Sequence, residues 1–156
     1  AHHPWQLWTA SLAHLSSAHL LVNLAALLAM AVLGVFLQVG RSAAWACLLA
    51  WPLGTLALSC WPVIGYYSGM SGLLMAMLAV LAVSASAQPD TRGIGMFLLV
   101  VLGFKLLTEQ AWSQPLAFDP RWGFNVVYAA HLSGALTGGA SALLIRAMQA
   151  RRHPHS

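Results

Sequence analysis

A serine, three histidines and an asparagine stand inside or at the mouths of apolar runs, where polar groups are costly. Ser71 lies in Gly69-Met70-Ser71-Gly72, His131 precedes Gly134 and Gly138, and His14, His19 and Asn23 open the first apolar run. A serine hydroxyl is a poor nucleophile until a base within hydrogen-bond reach takes its proton, and histidine titrates in the range that suits such a base. Ser71 as nucleophile and His131 as general base would together carry out acyl transfer to water. His19 and Asn23 are four residues apart, so they share one helical face and can aim polar hydrogens at one point. With backbone N–H groups near Ser71 they would stabilise the oxyanion of a tetrahedral intermediate, each good donor contributing about 3 to 4 kcal/mol. His14, rotated by roughly 140° from His19 on a helix, belongs to another face or to a preceding loop and reads as scaffold.

The chain has three acidic residues, Asp90, Glu109 and Asp119. Asp90 belongs to the side opposite the serine. Glu109 and Asp119 fall in a connection rather than in a polar run of the bundle, so the expected catalytic pair has no buried acid behind it. Lys105 and Glu109 are spaced as an ordinary i,i+4 pair.

The elements that must hold these residues are set by composition. Of 156 residues, 60% are apolar and 6% charged, which excludes a water-soluble domain. Apolar runs cover Leu12 to Gly40, Ala43 to Cys60, Ser71 to Gln88, Gly93 to Leu107 and Phe124 to Leu144. Each approaches the roughly 20 residues needed to cross about 30 Å of hydrocarbon. The expectation is therefore an all-α membrane protein with five transmembrane helices, forming a single domain over residues 1–156. Glycines around Ser71 permit a tight turn that presents it at a helix start, below the surface because the run from Ser71 is short. Gly134 and Gly138 on the last helix face a small surface at Gly72 and Ala76, a pattern that lets two helices approach closely.

Alternating the spans places Arg41, Arg92, Arg146, Arg151 and Arg152 on one side, the cytoplasmic one by the positive-inside rule. Trp5, Trp8, Trp61, Trp112 and Trp122 gather on the other, as an interfacial belt. The scattered cations form no nucleic-acid patch, and Cys47 and Cys60 read as packing residues rather than a disulfide. The start at Ala1, followed by His2, His3 and Pro4, lacks a signal-peptide pattern and suggests that upstream sequence has been removed.

Trp5-Gln6-Leu7-Trp8-Thr9, His14-x4-His19-x3-Asn23, Gly69-Met70-Ser71-Gly72 and Ala130-His131-x2-Gly134-x3-Gly138 resemble, in this order, the motifs of rhomboid proteases. The resemblance implies a Ser71–His131 dyad, oxyanion donors at His19 and Asn23, no cofactor or metal, and cleavage of transmembrane segments of other membrane proteins. It also implies that the family's first helix is missing here. The short length and Lys105-Leu106-Leu107-Thr108-Glu109-Gln110 look more like the bacterial rhombosortase branch. That narrower resemblance implies an inner-membrane enzyme whose site opens toward the periplasm or exterior, and substrates with carboxyl-terminal sorting tails. Gln6 departs from the usual arginine, and Met75 from the aromatic or histidine that often packs on the catalytic histidine.

Two other readings remain open. One is a rhomboid-like protein that binds membrane helices without cutting them. The other is a haem or metal site built from His14, His19 and His131.

Overall fold

A computed structural model describes residues 3–152; His2 and the side chain of Arg152, both used above, lie outside the described residues. A short helix, α1 (Gln6–Thr9), and a 3-10 turn lead into α2 (Ser17–Phe36), α3 (Arg41–Ala57), α4 (Ser71–Ser86), α5 (Arg92–Glu109) and α6 (Tyr128–Arg152). The spans Ser17–Phe36, Arg41–Cys60 and Pro89–Glu109 are long and apolar enough to cross a membrane, while α4 is shorter. The fold is thus largely helical and suited to a membrane.

Local chemistry sets the helix ends that matter for the site. Ser16 caps α2, its hydroxyl accepting from the His19 backbone N–H at 3.2 Å. The start of α4 follows Gly69 at φ +110, a conformation that side-chain-bearing residues avoid. At the other end of α4, the Thr91 hydroxyl donates to the Ala85 carbonyl at 2.9 Å. Gln110, left-handed at φ 49, stops α5 just after Glu109.

Helix α4 is the hub of the bundle, packed against α2, α3, α5 and α6. It buries Leu74, Ala76, Ala79, Val80, Leu81, Ala82 and Ala85 around its whole circumference. The closest seam joins α4 to α6: a Cβ on Gly134 would run into the Gly72 carbonyl, and one on Gly138 into the Ala76 carbonyl. From α3, Gly54 completes the contact, since its Cβ would lie 3.6 Å from the Gly134 Cα. Without a hydrophobic drive between helices in lipid, such close backbone approach is a main source of association.

Two features depart from the sequence reading. The stretch between α5 and α6 is not wholly irregular: Ala117–Asp119 (β1) and Phe124–Val126 (β2) pair as an antiparallel hairpin, with Ala117 opposite Val126. Gly123 at φ +73 and the Asp119 side chain, which accepts from the Arg121 backbone N–H at 2.9 Å, close its turn. A short polar connection with two prolines hides so small a ladder, because periodicity needs longer strands. Cys47 packs beside Ala43, Ala46 and Val80, but Cys60 is exposed on the chain's surface rather than packed.

Candidate active site

The site is assembled from the starts of α2, α4 and α6 and the end of α5. Residues Ser71, His131, His19 and Asn23 all line one cavity of about 600 Å³, roofed on one side by Trp122 and Phe124. The neighbours of the serine and histidine hold their helices together, because a Cβ on Gly72 would sit 2.9 Å from the Ala130 carbonyl. One residue beyond each side of that contact stand Ser71 and His131.

Gly69 serves a second purpose besides its dihedral angle. A Cβ there would lie 2.7 Å from the His19 Cε1, so the loop backbone can approach the imidazole only as glycine. That loop is tied down by hydrogen bonds from the Gly69 N–H to the Ala10 carbonyl at 3.2 Å and from the Tyr67 hydroxyl to the Gly69 carbonyl at 2.7 Å. Burial pushes the Tyr67 phenol up to about 12, against a lowering hydrogen bond from Gly72, which keeps it a neutral donor near pH 7.

Asn23 is only 4% exposed, and its Nδ2 amide has no hydrogen-bond partner. The same holds for the buried Nδ1 of His19 and Nε2 of His14. A buried polar atom without a partner costs on the order of 1 to 3 kcal/mol, and of these three residues His19 and Asn23 line the cavity, where the Asn23 amide is a donor poised for an acceptor. His14 lies in the loop before α2, with its Nδ1 3.0 Å from the Leu12 carbonyl, and its ring meets His19 edge-on at 5.1 Å between centroids. It therefore contacts His19 without lining the cavity.

His131 is 6% exposed, and its Nδ1 lies 2.8 Å from the Glu109 Oε2. This overturns the expectation that no acid stands behind the histidine. The sequence reading ended the fourth apolar run at Leu107, but the helix continues to Glu109 and carries the carboxylate back onto α6. The Lys105–Glu109 spacing was the available signal: an i,i+4 pair can form only if the helix runs through both residues. Met75 lines the cavity and packs with Ala79, Leu102 and Ala135. The aromatic ring beside His131 is Tyr128, one turn earlier on α6, at 6.0 Å between centroids.

Trp122 also departs from its expected place in the belt. The hairpin folds it inward, to 5.6 Å from the His19 ring, with Phe124 at 5.1 Å. Trp5, Trp8 and Trp112 are exposed, as belt residues are. Among the described residues no three His, Cys, Asp or Glu side chains form a metal-ligating group, so His14, His19 and His131 do not come together as a three-histidine metal site.

The Rhomboid domain family matches residues 1–148, nearly the whole chain. The chain belongs to the rhomboid family. Members of this family are generally intramembrane serine proteases, and the apolar helices fit a membrane-embedded protein. No curated protein and no solved structure matches the chain.

Proposed function

We propose that this rhomboid is an intramembrane serine endopeptidase, a single transmembrane domain of five spanning helices that uses Ser71 as nucleophile and His131 as general base. The observation that carries the reading is one cavity lined jointly by Ser71, His131, His19 and Asn23, with the two flanking helices in backbone contact at Gly72 and Ala130. Ser71 Oγ attacks the scissile carbonyl carbon as its proton passes to His131 Nε2, and the carbonyl electron pair moves onto oxygen. The unpartnered Asn23 amide and the imidazole of His19, which line the same cavity, meet that oxyanion. Collapse expels the amine, which takes the proton from Nε2 and leaves an acyl-serine. A water then gives its proton to Nε2 as its oxygen attacks the acyl carbon, and Ser71 leaves with that proton, releasing a carboxylate product.

Charge distribution supports the orientation. Among the described residues, the cations at the site end, Lys105 and Arg121, are paired with Glu109 and Asp119, whereas Arg41, Arg92, Arg146 and Arg151 at the other end form no ion pair. The larger number of Arg residues at that end favours the cytoplasmic face, and on this reading the cavity opens to the periplasm or exterior of a bacterial inner membrane. The substrates are membrane proteins with one transmembrane segment. The Lys105–Glu109 element favours the rhombosortase branch and carboxyl-terminal sorting tails.

Co-expression with a reporter bearing a carboxyl-terminal membrane tail tests this reading. Ser71→Ala and His131→Ala should each abolish cleavage while membrane insertion stays intact, and a fluorophosphonate should label wild type but not Ser71→Ala. Equal cleavage by wild type and both variants would refute the assignment.

A further inference from the structure

We propose that Glu109 is a positioning residue for His131, and that Lys105 holds Glu109 in that role, so that the dyad is backed by an acid and a cation. The inference rests on the Ser71–His131 reading and deepens it. The two oxygens of the Glu109 carboxylate are divided: Oε2 faces the His131 Nδ1 at 2.8 Å, and Oε1 accepts from the Lys105 ammonium. An ordinary surface pair would leave the second oxygen to solvent. Here that oxygen engages a buried imidazole on another helix.

The arrangement has three chemical consequences. A carboxylate accepts hydrogen bonds and, when ionised, donates none, so Nδ1 must carry the hydrogen. That tautomer leaves the Nε2 lone pair free to take the serine proton. The imidazolium formed on proton transfer then lies against an anion, which favours its formation. Lys105 offsets the charge of that anion at the membrane end of α5, where a bare carboxylate would be costly. The left-handed Gln110 ends the helix at once, which fixes Glu109 at the depth of His131.

The other titratable groups facing His131 are Tyr128 on its own helix, Ser71 at the start of α4, Tyr67 in the preceding loop and His19 across the cavity from α2. None of them pairs with His131 as Glu109 does among the described residues.

The test uses the full chain in liposomes with the tailed reporter, and reads cleavage rate against pH. Glu109→Gln keeps an acceptor for Nδ1–H but removes the charge. Its rate should fall on the order of 10²-fold or more, and the acid limb of the profile should move to lower pH, because the imidazole then holds its proton less readily. Glu109→Asp should recover part of the rate. Lys105→Met should lose about tenfold or less and move the acid limb the opposite way, since a repelling cation has gone. A double variant no slower than Glu109→Gln is expected if Lys105 acts through Glu109. A wild-type rate and acid limb in Glu109→Gln, with Ser71→Ala and His131→Ala inactive, would overturn this inference alone. So would a rate loss in Glu109→Gln that leaves the acid limb unmoved and follows a fall in thermal stability. Full activity of the Ser71 and His131 variants would instead remove the reading beneath it.

Discussion

Helices α4 and α2 both present polar groups to the same cavity, yet the bundle treats them in opposite ways. Helix α4 is enclosed by α2, α3, α5 and α6, and its small residues let neighbours approach its backbone. Helix α2 packs chiefly on α4, buries only Asn23, and turns Leu21, Val22, Leu28, Val32 and Val35 outward. In water that exposure would be destabilising; against acyl chains as apolar as leucine it is nearly neutral. The difference teaches how labour is divided. Backbone contact at Gly72 and Ala130 joins the helices that carry Ser71 and His131, whereas the proposed oxyanion donors, His19 and Asn23, ride on a helix whose one buried side chain is Asn23.

That contrast predicts a variant that loses catalysis without losing the fold. Asn23→Ala removes a buried amide donor that has no partner in the resting protein. Cleavage should slow by about 10²- to 10³-fold, the usual cost of one oxyanion donor. Thermal stability should hold or rise slightly, because an unsatisfied buried group disappears. Reporter cleavage and thermal unfolding of the same purified sample check both halves. A marked drop in unfolding temperature would mean that Asn23 supports the fold, and the contrast with α4 would break.

The seam between α4 and α6 should behave in reverse. Gly134→Ala places a methyl against the Gly72 carbonyl, and because the obstacle is backbone the helices must separate. Overpacking of this kind costs about 1 to 3 kcal/mol, and the same movement would pull Ser71 from His131. Gly139, five positions on, has nothing within 4 Å of its missing Cβ. There alanine should be neutral or slightly stabilising, through its better helix propensity. Thermal unfolding of the two variants side by side sharpens the comparison, and equal stability would show that the seam is slack.

What was legible in the sequence follows the same division. The presence of the apolar helices and the small-residue pairing of Gly134 and Gly138 with Gly72 and Ala76 could be read directly, because hydropathy and residue size report on helices in close contact. The run ends could not, since Phe124–Val126 is a strand and the last helix starts at Tyr128. Gly54, the third member of that seam, gave no signal by itself, since a glycine in a helix is meaningful only once its neighbours are known. Glu109 was hidden for a different reason. Hydropathy ends a run at its last apolar residue, and a charged residue two positions later looks like loop even when the helix continues through it. The inward turn of Trp122 was equally invisible, because an amphipathic ring suits both a membrane interface and the roof of a polar cavity.

That roof gives the smallest and most local test of how the donor side is held. Trp122 and Phe124 flank His19 from a hairpin whose turn rests on Asp119 and Arg121, the guanidinium reaching Oδ2 at 2.7 Å. Hydrogen bonds from Arg121 hold the Asp119 carboxyl below its ordinary value. A group whose folded value is lowered contributes its full share above the unfolded value, near 3.9 for aspartate, and that share is lost as pH falls through the lowered folded value. Exchange protection of the Trp122 and Gly123 amides, which donate to the Asp119 carbonyl at 3.1 and 3.0 Å, should therefore persist through neutral and mildly acid solution and fade only in strong acid. Arg121→Gln should bring that loss up toward the ordinary aspartate range. Because Arg121 is largely exposed, salt should narrow the gap between the two proteins. Identical profiles for both would show that backbone hydrogen bonds alone keep the hairpin over His19, and that the donor helix depends on the roof's shape rather than its charge.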